Sequence, residues 1–540
     1  MDDRVNEGPL AARVLDTLLR EDYAGMRRYV NPDHRVLDLP GDQPGGARIV
    51  RLCEGGFLTD LVVDPAQNLR LDDVFSAVRR IADPRDDVRA FERECREAAV
   101  TLRLHEHAQR EVLDRLGQAP EDVRHGPGTF YETLAAYTDH PVYPTGRSRA
   151  GLSTADLRRY APEFGPSFEL RWAAVPRDRV TSAGVRPEWW PEPAESGLDP
   201  ALADTHDLFP VHPLTASALR NDPDVLLSPD RHLRVRPTLS MRTLAVTSLT
   251  HLKVPLTTST LGLRNRRTIV PGTLSDGARV ERILHRVLER ERALPILLAD
   301  EQTYGHAGSP FLGHLVRRFP AETARAHVIP VAALLAEDPD GGHVIERWDV
   351  EATFGAYLDA LLAWNVALFR YGIALEAHQQ NVSVVLTKHD PLKLLLKDND
   401  GALIDPVRLA AALETSDTPR RFIDCDFNDL RMTTADQEAL ARVFVTITLH
   451  LCAAAPAFGL AERGLLPLRT GLAMLRDRLD ALLGPDDAFL RARTLDADRL
   501  PTKAMVTAGT LVDKARTGAA DINKHYGPLG PNYLRDDPCS

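Results

Sequence analysis

The sequence predicts an α+β protein, because segments with helical and strand-like periodicity follow one another along its whole length. Apolar residues recur at helical spacing over residues 11–23, 87–116 and 349–371. Apolar runs typical of strands occupy residues 48–63, 382–386 and 392–396, and threonine-rich runs of similar character precede residue 270. Helical patterns dominate again from residue 433 onward. Neither an all-helical nor an all-β class fits this alternation.

Changes in residue composition and periodicity divide the chain into three predicted lobes, residues 1–150, 151–345 and 346–540. The first mixes helices with strands. The second combines a cluster rich in proline and tryptophan with strands rich in threonine, serine and arginine. The third begins with the long apolar helix and ends in further helices. No internal repeat or low-complexity tract separates these lobes, so we expect them to share interfaces.

The composition is that of a globular protein, with 44% hydrophobic residues among 540. Sixty-six basic and 77 acidic side chains give a net charge of −11, which excludes a global electrostatic attraction to nucleic acid or to an anionic membrane. Anionic ligands must therefore bind in local positive pockets. Only seven of the basic residues are lysines, and the first of them is Lys253, so each lysine is unusually informative.

Cysteine usage and the N-terminus both predict a reducing, cytoplasmic setting. The five cysteines are scattered and form no CxxC pair, which fits neither a disulfide framework nor a zinc ribbon. The acidic N-terminus has no apolar core of a signal peptide. Residues 443–460 are uncharged and long enough to span a membrane, but Thr446, His450 and Pro456 dilute their apolar character. We predict a buried helix there.

A first polar cluster lies between residues 236 and 267. Among its hydroxyl and cationic side chains are Arg236, Ser240, Arg242, Thr243, Lys253, Thr257, Thr258, Ser259, Thr260, Arg264, Arg266 and Arg267. Because residues i and i+2 of a strand share a face, we expect Ser240 and Arg242 to point into one pocket. Arginine binds carboxylate or phosphate in bidentate fashion and lysine adds a point charge, so the cluster indicates a polyphosphate or tricarboxylate ligand. The alternative is a solvated, threonine-rich sheet edge.

A second polar cluster lies in residues 372–381 and 394–401, between apolar runs. Its side chains are Glu376, His378, Gln380, Asn381, Asp398 and Asp400. Buried polar groups need partners, and the carboxylates and Asn381 offer the hard oxygen donors that Mg²⁺ prefers. His378 would then hold a phosphate or act at the reacting centre. The alternative is a hydrogen-bonded turn with a satisfied histidine, which explains residues 399–401 but not Glu376, His378 and Asn381.

Common nucleotide and hydrolase signatures are absent: the sequence has no GxxxxGK[ST], GxGxxG, HExxH or GxSxG motif. Ordered motifs within residues 209–406 instead resemble a known family. Phe209-Pro-Val-His212-Pro213, Ser240-Met-Arg242-Thr243 and the lysine strand at Lys253 resemble its His-Pro-x-His-Pro, Ser-x-Arg-Thr and following lysine motifs. Residues 372–381 resemble its Gly-x-x-x-Glu-x-His-x-Gln-Asn, and residues 397–401 its Arg-Asp-x-x-Gly. On these motifs the chain is identified as a member of the siderophore synthetases that work independently of nonribosomal peptide synthetases (NIS synthetases), of the aerobactin type (IucA/IucC).

The resemblance implies an ATP- and Mg²⁺-dependent ligase. Family members adenylate a carboxylate, typically of citrate, a citrate derivative or a dicarboxylic acid half-amide, and release pyrophosphate. An amine, hydroxylamine or alcohol then attacks the acyl adenylate. The residue chemistry agrees, because fixed cations and a metal stabilise the negative charge of such a transition state. The acid and the nucleophile stay open at this point.

The resemblance also implies a fold and site residues. The fold is a cupped hand with a thumb (1–150), fingers (151–345) and a palm (346–540), usually as a homodimer. ATP phosphates would be bound by Ser240, Arg242, Thr243 and Lys253, and phosphate and carboxylate by Ser259, Thr260 and Arg264, with Arg266 as the alternative arginine. His378 and Gln380 would contact the nucleotide and the acyl substrate. Mg²⁺ and ATP would be bound by Glu376, Asn381, Asp398 and Asp400. The catalytic set is Arg242, Lys253, His378 and Arg264.

Three positions depart from the family pattern. Phe209 replaces the first histidine of the His-Pro pair, and Lys397 replaces the usual arginine. Residues 527–532, Gly-Pro-Leu-Gly-Pro-Asn, stand where an Asn-Pro-Leu is expected. Because of the third departure, the sequence does not decide which residues form the C-terminal wall of the substrate site. Lys503 lies in a segment that resembles the lysine-containing C-terminal helix of the family, and its role is also undecided.

Two other interpretations remain. His378-x-x-Asn381 followed by Asp398 has the order found in aminoglycoside-kinase-like phosphotransferases, but Gln380 stands where their catalytic aspartate is needed. A non-catalytic protein could bind a citrate-like ligand through the arginines, although simple anion binding does not require Mg²⁺ ligands. Release of pyrophosphate separates these possibilities from the ligase.

Overall fold

The structure, a computed structural model, describes residues 7–40, 48–399, 401–414, 425–518 and 524–535. Helices and sheets alternate throughout these residues, which confirms the predicted α+β class. The lobe boundaries at residues 150 and 345 stay predictions.

The N-terminal part packs helices against an antiparallel meander in which β1, β2, β3 and β4 pair in chain order. Its elements are α1 (Gly8–Arg20), β1 (Val30–Asn31), β2 (Val36–Leu39), β3 (Arg48–Glu54), β4 (Leu61–Val63), α2 (Leu71–Ile81), α3 (Val88–Gly117) and α4 (Phe130–Ala135). The predicted helix at 87–116 is α3, which begins where the Asp87 side chain accepts a hydrogen bond from the Ala90 N–H. The strand-like run at 48–63 forms two strands, β3 and β4, joined by a turn.

The middle of the chain builds the large sheet of the molecule. Its elements are α5 (Thr154–Tyr160), β5 (Phe168–Pro176), β6 (Thr181–Ala183), β7 (His206–Val211), β8 (Leu226–Leu227), β9 (His232–Pro237), β10 (Thr243–Thr247), β11 (Thr250–Lys253), α6 (Pro271–Arg290), β12 (Ile296–Leu298), β13 (Asp300–His306), β14 (Gly313–Arg318) and β15 (His327–Pro330). The strand order is β6-β13-β14-β11-β10-β9-β5-β7, with β8 also paired to β5. The hairpin β10–β11 therefore lies at the centre of this sheet.

The C-terminal part is mainly helical, as the sequence predicts. Its elements are α7 (Val350–Arg370), β16 (Ile373–Leu375), β17 (Val382–Leu386), β18 (Lys393–Leu396), β19 (Ala402–Ile404), α8 (Pro406–Leu413), α9 (Gln437–Val443), α10 (Ala455–Glu462), α11 (Leu468–Leu482), α12 (Ala488–Arg493), β20 (Arg499–Leu500), α13 (Lys514–Thr517) and β21 (Gly530–Pro531). Two π-helical segments, Phe444–Ala454 and Thr507–Leu511, complete it. The long helix α7 ends at Arg370, and Gly372, which has a φ of +76°, follows two residues later, where the sequence predicts the break.

A smaller sheet joins the second and third predicted lobes. Its strand order is β12-β18-β17-β15, with β12 parallel to β18 and the other pairs antiparallel. Strands from both sides of residue 345 thus share one sheet, in line with the expected shared interfaces. Asn381 directly precedes β17 and Asp398 follows β18 by two residues, and because Val382 pairs with Leu396, both residues lie at the same end of this strand pair.

Two apolar helical runs, residues 350–370 and 437–462, have the length and composition of membrane spans. Both lie mostly in the protein interior. In the second run, 89% of the most apolar stretch of 18 residues is buried. The structure places residues 443–460 in a buried helical run, as the sequence predicts.

Candidate functional site

A cavity of about 280 Å³ lies where the large sheet, the smaller sheet and the C-terminal helices meet. Of the residues that the sequence predicts for the site, its wall contains Ser240, Arg242, Thr260, Glu376, His378, Gln380, Asn381 and Asp398. The two polar clusters therefore surround one space, with a volume close to the lower end, ~300 Å³, of small-molecule sites. Another cavity, of about 370 Å³ along α3, has none of these side chains in its wall.

Ser240 and Arg242 reach the cavity from a turn rather than from a strand. They lie between β9 and β10, and Met241 between them has a φ of +63°. The predicted strand at these two residues was wrong. Both side chains nevertheless line the same cavity, as expected. The Ser240 Oγ accepts a hydrogen bond from the Thr243 N–H, and the Arg242 Nη1 donates one of 2.6 Å to the Thr268 carbonyl, so both ends of the turn are held.

His378 lies in a tight turn that precedes β17. Its carbonyl accepts hydrogen bonds from the N–H groups of Asn381 and Val382, and its Nδ1 accepts one of 3.4 Å from the Gln380 N–H. Burial lowers the pKa of His378 to about 4, against the opposing charge of Asp398. The ring is therefore neutral at pH 7, and because Nδ1 accepts, the proton resides on Nε2.

The loop after β18 holds Asp398 in a left-handed conformation, with a φ of +68°. A buried carboxylate, Glu301 at the start of β13, stabilises this uncommon geometry. It accepts hydrogen bonds from the backbone N–H groups of Asp398, at 2.8 Å, and Asn399, at 3.2 Å, and from the guanidinium of the buried Arg317. The loop is thus fixed by contacts to the large sheet.

The carboxylate of Asp398 lies among cations. Its Oδ1 is 2.5 Å from the Lys253 Nζ and 3.5 Å from the Arg317 Nη2. Burial raises the pKa of Asp398, but Lys253, Arg317 and Arg242 outweigh this effect and hold the pKa well below its usual range. Lys253 itself is 4% exposed and lies behind Asp398, outside the cavity wall.

A segment that the sequence analysis missed also lines the cavity, and its ionisable side chains there are Asp139, His140, Arg147 and Arg149. The Nδ1 of His140 accepts hydrogen bonds from the N–H groups of Val142 and Tyr143. Burial, followed by the nearby His378, lowers the pKa of His140 to about 3. The pattern Gly-Arg-Ser-Arg at residues 146–149 was the signal available, because alternate arginines beside glycine indicate an anion-binding loop.

Several predicted residues lie away from the cavity wall. They are Thr243, Lys253, Ser259, Arg264 and Arg266, and Asp400 lies outside the described residues. Arg264 and Arg266 are exposed, and Arg264 donates a 3.3 Å hydrogen bond to the Ala508 carbonyl. Arg267 lines the cavity instead.

The C-terminal segment contributes Lys503 to the cavity wall. The charge of Lys503 helps to lower the pKa of His378 and of His140. Asn532 is buried elsewhere and donates hydrogen bonds to the carbonyls of Thr494 and Ala497. In the described residues, this part of the chain therefore reaches the cavity through Lys503 and its neighbour Met505.

The arrangement combines fixed cations with oxygen donors. The cations of the wall are Arg147, Arg149, Arg242, Arg267 and Lys503, which suits an anion of high charge. Glu376, Asn381 and Asp398 offer carboxylate and amide oxygens on the same wall, the donor set that Mg²⁺ accepts. The wall therefore offers binding partners for an anion and for a metal ion.

Comparison with known proteins finds similarity to siderophore biosynthesis proteins. Residues 128–336 match the IucA / IucC family, and residues 350–518 match a family described as ferric iron reductase FhuF-like transporter. The rhizobactin siderophore biosynthesis protein RhbC of Rhizobium meliloti is 28% identical over 440 residues, which cover 72% of this chain and 71% of RhbC. The L-2,3-diaminopropanoate–citrate ligase of Staphylococcus aureus is 27% identical over 309 residues, which cover 49% of this chain and 52% of the ligase.

Solved structures agree on the fold. The petrobactin biosynthesis protein AsbB from Bacillus anthracis matches with a TM-score of 0.74 and 16% identity, over 98% of this chain and 96% of that chain. The ATP-bound aerobactin synthetase IucA from a hypervirulent pathotype of Klebsiella pneumoniae matches with a TM-score of 0.70 and 17% identity, over 97% and 99% of the two chains. The predicted resemblance and fold class are confirmed.

Proposed function

We propose that this chain, a relative of the IucA/IucC siderophore synthetases in sequence and fold, is an ATP- and Mg²⁺-dependent ligase of siderophore biosynthesis. It would activate a carboxylate of citrate, or of a citrate or dicarboxylate derivative, and join it to an amine, hydroxylamine or alcohol. One observation carries the proposal: both polar clusters of the sequence line a single cavity, which holds cations and metal-type oxygen donors together.

The names of the relatives support the substrate class. One of them is named for ligation of citrate to a diamino acid, and a fold relative was solved with ATP bound. We extend these properties to this chain as part of the proposal, together with a cytoplasmic location and a homodimeric state. Citrate fits the wall physically, because several guanidinium groups can pair with several carboxylates at once.

The proposed reaction has two steps. A carboxylate oxygen of the acid attacks the α-phosphorus of ATP, the bond to pyrophosphate breaks, and an acyl adenylate forms. The nucleophile then attacks the acyl carbon, loses a proton and displaces AMP. Because a carboxylate is a poor electrophile, the first step is required before amide or ester formation. Positioning of the reactants and charge stabilisation contribute most of the catalysis.

The residues of the wall have distinct tasks in this scheme. Arg242, whose guanidinium is oriented by the Thr268 carbonyl, would bind the phosphates, and Arg267 would neutralise further negative charge. His378 is neutral and carries its proton on Nε2, so it would donate a hydrogen bond to a phosphate or acyl oxygen rather than act as a base. Lys253 would act through Asp398, keeping that carboxylate ionised.

The oxygen donors fit a magnesium site. Glu376, Asn381 and Asp398 share the wall, and Mg²⁺ commonly uses one or two carboxylates together with waters and substrate phosphates. Bound there, the ion would neutralise phosphate charge and favour departure of pyrophosphate. Asp398 would be ionised at neutral pH, because its pKa is held well below the usual range.

The decisive experiment is an assay of pyrophosphate release from ATP and Mg²⁺. Citrate, succinyl-type and 2-oxoglutarate-type acids are offered one at a time, with hydroxylamine as the trapping nucleophile. We expect pyrophosphate and a hydroxamate with one acid and neither product when the acid is omitted. Release of ADP would instead support the phosphotransferase, and saturable acid binding without turnover would support the binding protein.

A further inference from the structure

A group of three side chains outside the cavity has the composition of a transition-metal site. Glu121 begins a short 3₁₀ turn after α3, His125 follows that turn, and His327 begins β15. One ligand atom from each lies within 4.8 Å of those from the other two. The rings of His125 and His327 are 4.7 Å apart between centroids. None of the three belongs to the wall of the proposed active site.

The surroundings of His327 orient its ring. The Oη of the buried Tyr131 is 2.8 Å from the Nδ1 of His327, and the indole of Trp348 packs edge-on against the same ring at 5.3 Å. A proton on Nδ1, donated to the phenol oxygen, leaves the Nε2 lone pair for a metal. Such a hydrogen bond from the second ring nitrogen is typical of metal-binding histidines.

Glu121 can complete the set with little rearrangement. Its carboxylate lies 3.5 Å from the Arg124 Nε, but Arg124 has a closer partner in Asp340, at 2.6 Å. The Glu121 side chain is 64% exposed, so it can turn toward the histidines without breaking a buried contact. Its exposure also gives water access to the remaining coordination positions.

We propose that Glu121, His125 and His327 bind a transition-metal dication, by preference Zn²⁺, in a structural role. Two imidazoles and one carboxylate are a recognised donor set for Zn²⁺, with water in the fourth position. Gly126 already forms a β-bridge to His327 and donates a 2.8 Å hydrogen bond to the Ala326 carbonyl. The ion would fasten this segment to β15, the edge strand of the small sheet.

The consequence for the enzyme is indirect. The strand β15 pairs with β17, and β17 begins directly after Asn381 of the proposed active site. A metal ion bound at β15 would therefore stiffen the sheet that carries part of that site. The inference does not depend on the proposed function, because it concerns different residues and is tested by metal binding alone.

The test uses the untagged full-length chain after dialysis against a chelator, because a polyhistidine tag would itself bind metal. Co²⁺ serves as the spectroscopic probe. We expect visible d–d absorption that saturates at one equivalent per chain, displacement by Zn²⁺, and a higher Tm in the presence of Zn²⁺. Absence of saturable absorption in the wild-type chain would overturn the proposal.

Three variants and one control locate the site. His125→Ala and Glu121→Ala change a surface turn and should each weaken Co²⁺ binding at least tenfold, whereas Tyr131→Phe should weaken it by about 10- to 100-fold. His107→Ala, at an exposed histidine of α3, should leave binding unchanged. Equal affinity in the wild-type chain and His125→Ala would place the metal elsewhere and refute the assignment.

Discussion

Glu132 and Lys397 form a buried ion pair that connects the two polar clusters of the site. The Lys397 Nζ lies 2.5 Å from the Glu132 Oε1, and both side chains are less than a tenth exposed. The second oxygen of Glu132 accepts a 3.0 Å hydrogen bond from the Leu239 N–H, directly before the turn of Ser240 and Arg242. Lys397 directly precedes Asp398. One carboxylate on α4 thus holds both loops that line the cavity.

Removal of the Glu132 charge should destabilise the protein. Glu132→Gln leaves the ammonium of Lys397 buried without its counter-charge, and we expect the free energy of unfolding to fall by about 3 to 5 kcal/mol. Replacing both residues by Met should cost less than Glu132→Met or Lys397→Met alone, because no isolated charge then stays buried. Urea denaturation of the wild-type chain, these two single variants and the double variant measures the coupling.

A matched but exposed pair on β18, the strand that directly precedes Lys397, supplies the control. Lys393 of β18 pairs with Glu322, but both side chains are at least a third exposed. Lys393→Met should therefore change the unfolding free energy by less than ~1 kcal/mol. If Glu132→Gln were equally mild, Glu132 would not hold the two loops as described.

Arg242→Ala should abolish pyrophosphate release while the protein stays folded. Loss of one preorganised donor at a developing negative charge typically costs about 100- to 1000-fold in rate. Arg234→Ala, at an exposed arginine of β9, is the control and should retain wild-type turnover. Unchanged turnover in Arg242→Ala, with an unchanged Tm, would remove Arg242 from the site.

The third prediction distinguishes the arginines of the loop after β11. Arg267 lines the cavity, whereas Arg264 and Arg266 are exposed. We expect Arg267→Ala to lower kcat/KM at least tenfold, and Arg264→Ala and Arg266→Ala to lower it less than threefold, because charge in solvent is screened. A loss in Arg264→Ala as large as in Arg267→Ala would show that the first arginine turns inward when substrate binds.

Asp398→Asn should raise the Mg²⁺ concentration needed for half-maximal activity, because a neutral amide binds the ion more weakly. It should also lower the Tm, since Lys253 loses the carboxylate that it pairs with, whereas Arg317 keeps Glu301. Lys253→Met separates the two effects: it breaks the same ion pair but removes no metal ligand. We expect it to lower the Tm with a smaller change in Mg²⁺ dependence. A normal Mg²⁺ dependence in Asp398→Asn would contradict the metal assignment.

Stability should fall on mild acidification. Burial lowers the pKa of His140 to about 3 and that of His378 to about 4, from an ordinary value of 6.5. Below pH 6.5 the unfolded chain therefore binds protons that the folded chain does not, and stability is lost as the pH falls toward 4. Urea midpoints at pH 7, 6 and 5 should decrease in that order.

His140→Asn tests the origin of this dependence. The amide oxygen of Asn can still accept the backbone N–H groups of Val142 and Tyr143, but the side chain does not titrate. We expect a shallower decrease of the urea midpoint between pH 7 and 5 than in the wild-type chain. An identical slope in the two proteins would mean that His140 carries no proton-linked stability.

Local pattern predicted much of the fold and part of the site. The helix α7, its end just before Gly372 and the strand β17 follow from periodicity and one glycine, which are properties of neighbouring residues. Ser240 and Arg242 were grouped correctly from their motif, but the turn that presents them was not expected, because a left-handed Met241 has no signature in a single sequence. Glu132 and Glu301 were missed for a related reason: each acts through partners that are distant in the chain.

The sequence by itself determined the α+β class, the acidic net charge, the two polar clusters and the resemblance to a ligase family, since composition, periodicity and motif order are carried by consecutive residues. Only the tertiary structure decided that both clusters face one cavity, that Lys253 stands behind Asp398, and that Arg267 rather than its neighbours lines the wall. These relations depend on how sheets and helices from distant parts of the chain pack together, and burial then sets the charge of each group that they bring into contact.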